Sequence, residues 1–125
     1  MRPVTAGIIR KNGKILICQR PEGKRYAGKW EFPGGKMEYG ETPEEGLARE
    51  LREELGFEAR IGDIVAARAE YGNGEFLILY YEAEIASGEP AALEHAQIKY
   101  VYPHELTEYD FPGTDSVVAE KLARG

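Results

Sequence analysis

The chain has 125 residues, 42% of them hydrophobic, and a formal net charge of −6 at pH 7, which suits one domain over residues 1–125 with a real core. The acidic balance, without any basic stripe, argues against a nucleic-acid polymer as partner. A lone Cys18 permits no internal disulfide and fits a reducing cytoplasm, while Met1-Arg2-Pro3-Val4 opens no apolar signal and no stretch reaches membrane-spanning length.

Val4 to Arg10 and Lys14 to Gln19 read as strands joined at Asn12-Gly13, a strong hairpin signal. Cys18 closes the apolar run from Ile15 and is expected to be buried and inert. Pro21 to Lys29 is a polar loop, and Trp30 to Phe32 a short extended piece before Gly34-Gly35. A helix is expected from Pro43 to Leu55. Thr42 is its N-cap, Pro43 fits the first helical position, Glu45 closes a capping box, and Gly56 supplies the stop. Leu47, Leu51 and Leu55 form its apolar arc. A β-like segment from Glu58 to Tyr71 turns at Gly72-Asn73-Gly74 and returns from Glu75 to Ile85, with Phe76 to Tyr81 expected to be thoroughly buried. After a loop at Ser87 to Pro90, Gln97 to Tyr102 reads as a strand, Pro103 to Glu108 as a short helical turn and Thr114 to Arg124 as a last helix. Mixed strands with two helices imply an α/β class, a sheet packed between helices.

The chemistry concentrates on the first helix. Glu50, Glu53 and Glu54 stand three and four residues apart, so a helix gathers them within an arc of roughly 100°. Carboxylates that close raise one another's pKa unless a cation neutralises them. Clustered hard oxygens suit Mg²⁺ or Mn²⁺, and Mg²⁺ completes its shell with water and phosphate. Metal-assisted phosphoanhydride hydrolysis follows as the expectation. An amphipathic helix with a solvated acidic face would explain the same glutamates if they stood alone.

They do not stand alone. Residues 35–57 match G-x5-E-x7-R-E-U-x-E-E-x-G-U at all nine specified positions: Gly35, Glu41, Arg49, Glu50, Leu51, Glu53, Glu54, Gly56 and Phe57. The segment resembles the Nudix box. Trp30-Glu31-Phe32-Pro33-Gly34-Gly35-Lys36 and Asp110-Phe111-Pro112 further resemble the MutT-type branch, nucleoside triphosphate pyrophosphohydrolases that include oxidised-guanine sanitisers and a CTP-directed group. The resemblance implies an α/β/α sandwich around a mixed sheet. It also implies Mg²⁺-dependent release of nucleoside monophosphate and pyrophosphate by attack on the β-phosphorus. Tyr71 lies near a tyrosine position of dinucleoside polyphosphate hydrolases, which keeps that activity as an alternative; hydrolysis of a nucleoside diphosphate derivative and a silent nucleotide-binding module are the others.

Carried over residue by residue, the resemblance assigns the metal to the Gly34 carbonyl, Glu50, Glu53, Glu54 and Glu94. Glu94 can also be read as a surface glutamate. Glu53 or Glu50 is the candidate base, with Glu94 third, and Arg49 orients one of them while Glu41 is structural. Arg20 and Lys36 are phosphate-contact candidates. Phe32 and Tyr109 are candidates to stack on the base, and Glu31 to contact it or brace the loop. Asp115 falls where the branch places the residue that reads the base edge, and helix N-capping is its other reading. Guanine-directed relatives often have asparagine there, so aspartate shifts the expectation toward CTP-like or broader substrates. His95 is expected to be exposed. The partners are a nucleoside triphosphate and a divalent cation, with the chain as monomer or homodimer.

Overall fold

The computed structural model describes residues 1–72 and 74–125; Asn73, and with it the centre of the expected Gly72-Asn73-Gly74 turn, lies outside the described residues. The elements run β1 (Arg2–Lys11), β2 (Lys14–Gln19), β3 (Trp30–Glu31), β4 (Gly34–Lys36), α1 (Pro43–Leu55), β5 (Glu58–Glu70), β6 (Phe76–Ser87), β7 (Gln97–Val101), a 3₁₀ turn (Pro103–Glu108) and α2 (Thr114–Arg124). β1 and β2 meet where expected. Asn12 and Gly13 both take positive φ, 53° and 78°, as a two-residue hairpin turn of the primed kind requires.

The sheet is mixed because β1 pairs parallel with β6, Arg2 opposite Phe76 through Ile9 opposite Ala83, while β5 and β6 form an antiparallel hairpin. The pairing of β1 with β2 is short, at Arg10–Ile15 and Lys11–Lys14. Beyond it the two strands part. β3 takes the freed edge of β2, with Cys18 opposite Glu31, and β4 takes the freed edge of β1, with Ala6 opposite Gly34. Pro33 between them accepts the Gly7 N–H at 2.8 Å. The segment from Trp30 to Lys36 therefore crosses a split in the sheet, and that split opens the cleft where the site lies.

Alternation along the strands divides the core into two layers. Ile8, Ile15, Ile17 and Tyr80 face α2 and its Val118 and Ala119. Ile9, Leu16, Cys18 and Tyr81 face α1 and its Leu47, Leu51 and Leu55. This is the sheet between helices that the element pattern implied. Leu51 is fully buried, so Leu51→Ala is expected to cost about 2–5 kcal/mol through lost burial and the cavity left behind, to be read as a lower urea midpoint. Phe76 to Tyr81 corrects an expectation. Tyr80 and Tyr81 are buried, but Phe76 to Leu79 are only half-buried. Phe76 and Ile78 line the cleft, Ile78 while also packing against the core, and Arg2 and Lys36 lie over the Phe76 ring. Among the described residues no helix is long and apolar enough to cross a membrane.

Candidate active site

The ends of α1 set the phase of its side chains. Thr42 Oγ1 accepts from Glu45 N at 3.1 Å and the Glu45 carboxylate accepts from Thr42 N at 2.9 Å. Gly56 closes the helix with φ 72°, its N–H on Arg52 O. With the leucines turned into the core, Glu50 and Glu54, one turn apart, face the split sheet.

Arg49 organises this face. It grips Glu41 through Nε and NH2 at 2.7 and 3.1 Å, and its NH1 reaches Glu50 and Glu53, each at 3.1 Å. Its NH2 also donates to Lys36 O, which ties α1 to β4. The bond to Glu41, foremost among these, keeps the guanidinium firmly protonated, and the same bond holds the Glu41 carboxyl below its usual range. Two glycines admit this packing. A Cβ on Gly34 would stand 1.9 Å from the Thr5 carbonyl oxygen, and one on Gly35 only 2.5 Å from the Glu50 carboxyl carbon. Gly35→Ala is therefore expected to leave the fold nearly intact, since a carboxylate tip can swing aside, yet to slow turnover about 10–100-fold by misplacing Glu50. A kcat assay beside a thermal melt separates the two effects.

Glu54 is the anomaly. Its Oε1 is buried without a hydrogen-bond partner among the described residues. Burial, followed by the charges of Glu50, Glu31 and Glu94, pushes its carboxyl up to about 9. A stranded oxygen amid like charges is what a cation would relieve, so the donor set fits a hard divalent ion. Among the described residues no three carboxylate, imidazole or thiolate groups converge into a ready cage. Glu50 and Glu53 are turned to Arg49. An ion that takes one or two carboxylates and fills its shell with water and phosphate oxygens fits such an arrangement.

Glu54 opens onto a cavity of about 470 Å³. Gly34 to Lys36 of β4, Thr5 and Ala6 of β1, and Phe76 and Ile78 of β6 line it. Asp115, at the start of α2, also lines it. The NUDIX domain model matches residues 1–122. The chain belongs to the NUDIX family.

The chain is 38% identical over 130 aligned positions to the CTP pyrophosphohydrolase of Escherichia coli K12, covering 99% of this chain and 96% of that one. It is 37% identical to the 8-oxo-dGTP diphosphatase of Haemophilus influenzae, over 95% of this chain and 89% of the other. The solution structure of the E. coli ORF135 protein aligns with a TM-score of 0.81 at 38% identity, over 96% of this chain and 86% of that one. NUDIX enzymes hydrolyse phosphoanhydride bonds, generally with a divalent metal, and this chain is a hydrolase of that class.

The NUDIX cleft brings most of the other sequence-expected residues together. Arg20, Glu31, Phe32, Lys36 and Asp115 all line the cavity. Arg20 is already committed, its NH1 to Glu31 and its Nε to Arg25 O, both at 2.5 Å. Burial raises the Glu31 carboxyl, but hydrogen bonds from His95 and Arg20 outweigh it and hold it below the usual range. Phe32 is buried, with one face stacked on Phe111 at 5.0 Å, which limits it to an edge of the cavity. Glu94 lies outside the cavity lining, on an exposed stretch, with its charge in reach of Glu54.

Three expectations change. Tyr109 is not brought to the cavity: it ends the 3₁₀ turn, stands edge-on to Trp30 at 5.2 Å and packs against the core. His95 is not exposed. Its side chain is 6% accessible, because Ala96 N–H on Gln19 O pins the segment to β2 and folds the imidazole inward onto Glu31. Asp115 does not cap α2. Gly113 holds the cap position, and Glu70 from β5 accepts the Thr114 N–H at 2.9 Å. Asp115 instead accepts from Tyr80 Oη at 2.6 Å and Phe32 N at 3.2 Å. Burial foremost pushes its carboxyl up to about 7.

Sequence reasoning missed Arg25 and Tyr26 at the cavity, along with Phe76 and Ile78. The last two were findable. They alternate with Tyr80 along β6, so a period of two puts all three on the face that meets Asp115. Nothing in the loop composition marks Tyr26, which takes φ 60° and lies under the Arg25 guanidinium at 4.7 Å.

Proposed function

We propose that the whole chain is one NUDIX domain that splits nucleoside triphosphates into monophosphate and pyrophosphate, with oxidised-guanine or cytidine triphosphates preferred. Mg²⁺ or Mn²⁺ serves as cofactor, and a reducing cytoplasm as the setting. The observation that carries this reading is a cavity lined by two carboxylates of different kind, Glu54 with one oxygen stranded and Asp115 held by hydrogen bonds. A polyphosphate needs the first once a cation is present, and a base edge rich in donors suits the second.

The Gly34 carbonyl, Glu50, Glu53, Glu54 and Glu94 would hold the ion. When bound, it supplies neutralisation of the phosphate oxygens and a more acidic water. Glu53 is our choice of proton acceptor. It shares Arg49 NH1 with Glu50 but is half-exposed, and so the more accessible to water. Arg49 fixes its rotamer. Lys36 and Arg25, both lining the cavity, offer positive charge to the phosphates, while Arg20 braces Glu31. The names of the relatives, a CTP pyrophosphohydrolase and an 8-oxo-dGTP diphosphatase, support the two substrate classes.

A panel of nucleotides with Mg²⁺ tests the reading. Cytidine triphosphates, their modified forms and 8-oxo-dGTP should outrank dTTP and UTP, and the products should be monophosphate and pyrophosphate. Release of orthophosphate, or a preference for dTTP, would refute it. Tyr71, 67% exposed at the cavity, supports a second reading, a dinucleoside polyphosphate as substrate. One such compound in the panel decides between them.

A further inference from the structure

Residues 91–96 carry Glu94 but belong to no helix or strand. Their backbone hangs from three points: Ala91 N–H on Leu55 O at 2.9 Å, Leu93 N–H toward Glu54 O at 3.3 Å, and Ala96 N–H on Gln19 O at 2.9 Å. Two of these are carbonyls at the end of α1, where the last turn leaves them unpaired. One side chain of the segment is anchored as well. His95 Nε2 lies 2.7 Å from Glu31 Oε2, and the other Glu31 oxygen is held by Arg20. An ionised carboxylate can only accept, so Nε2 is the donor and Nδ1 is the ring's other nitrogen. That Nδ1 is buried and without a partner among the described residues. The imidazole is thus held by one hydrogen bond.

We propose that His95 is a positioning residue, whose hydrogen bond to Glu31 pins residues 91–96 against the end of α1 and so keeps Glu94 beside the glutamates of the site. The inference rests on the proposed role of Glu94 in holding the cation. Glu31 then has a structural part to play: with Arg20 on one oxygen and His95 on the other, it couples the loop at the cavity mouth to the segment bearing Glu94.

His95→Ala and His95→Gln are the variants, since a glutamine amide can reach Glu31 as a donor. Backbone amide exchange at Ala96 and Leu93 reports the pinning directly. His95→Ala should speed it roughly tenfold, the scale of a lost charge-assisted hydrogen bond, and His95→Gln should restore most of the protection. Mn²⁺ binding to the metal-free protein, followed by the spin-resonance signal of unbound ion, should weaken about tenfold in His95→Ala. Nucleotide turnover should fall in kcat, with KM little changed. Adding His95→Ala to Glu31→Gln should change little beyond Glu31→Gln alone, since the shared contact is already lost there, although Glu31→Gln by itself also gives up the ion pair with Arg20. Exchange and Mn²⁺ affinity need no turnover, so they decide the role of His95 even if every nucleotide in the panel fails as substrate. Unchanged exchange and Mn²⁺ affinity in His95→Ala would overturn the proposal. So would a His95→Gln protein as impaired as His95→Ala, which would make the imidazole a packing group.

Discussion

Glu54→Gln is expected to lose at least ~100-fold in turnover, on the scale of removing one positioned charge from a phosphoryl-transfer site, and yet to melt higher than the parent in metal-free buffer. The two effects have one cause. In the fold the Glu54 carboxyl is pushed up to about 9 by burial and then by Glu50, Glu31 and Glu94, against an ordinary value of 4.5. Because the folded value lies above the unfolded one, folding takes up a proton between them. The stability Glu54 permits is whole below about pH 4.5 and is lost as pH rises through about 9. The parent without metal should therefore weaken across that window. Millimolar Mg²⁺ should restore it, since a ligand of the native state alone raises stability by mass action. Glutamine is neutral throughout, so it removes the slope and most of the Mg²⁺ response. Melts near the two ends of the window, with and without Mg²⁺ and nucleotide, read both effects. Near-normal turnover by a folded Glu54→Gln would take the carboxylate out of the chemistry. A metal-free variant less stable than the parent at alkaline pH would show that Glu54 is not the strained group. Glu53→Gln, half-exposed in the parent, should lose a similar ~100-fold in rate without the gain in stability.

Asp115→Ala should cost the preferred nucleotide about 1–3 kcal/mol in kcat/KM, the penalty for leaving a buried base donor unpaired, and thymine or uracil nucleotides much less. Tyr80 holds one carboxylate oxygen and Phe32 N–H the other, so the remaining lone pairs are aimed rather than free. Above its value of about 7 the group is ionised and can only accept, which favours a cytosine amine or the guanine edge. Below it the acid gains an O–H and can donate to a carbonyl. Discrimination against dTTP and UTP should therefore relax as pH falls from about 8 to about 6. A kcat/KM ratio flat across that range, together with equal losses for every base in Asp115→Ala, would reduce Asp115 to a brace between Tyr80 and Phe32.

What was legible beforehand follows a physical boundary. Helix α1 was readable end to end because its determinants are local: Thr42 and Glu45 satisfy its first donors, the leucine spacing sets its buried face, and Gly56 supplies the left-handed stop. The Asn12-Gly13 hairpin was readable for the same reason. The relation of Glu50, Glu53 and Glu54 to one another needs only helical geometry, so the carboxylate cluster was visible as well.

The site as a place was not. His95 meets Glu31 across 64 positions, and Asp115 meets Phe32 across 83 and Tyr80 across 35. No propensity or periodicity encodes such pairs. They depend on β1 lying parallel to β6 and on β2 parting from β1 so that Trp30 to Lys36 can cross the gap. Register between distant strands is chosen by competition among whole packings, in which each short stretch contributes little. The sequence by itself determined which residues are candidates for the chemistry and how the glutamates on one helix relate. Only the tertiary structure decided that Glu54 is stranded, that Asp115 serves Tyr80 and Phe32 instead of capping its own helix, and that Tyr109 stays outside, because burial and hydrogen-bond partners belong to the packed chain and not to any segment of it.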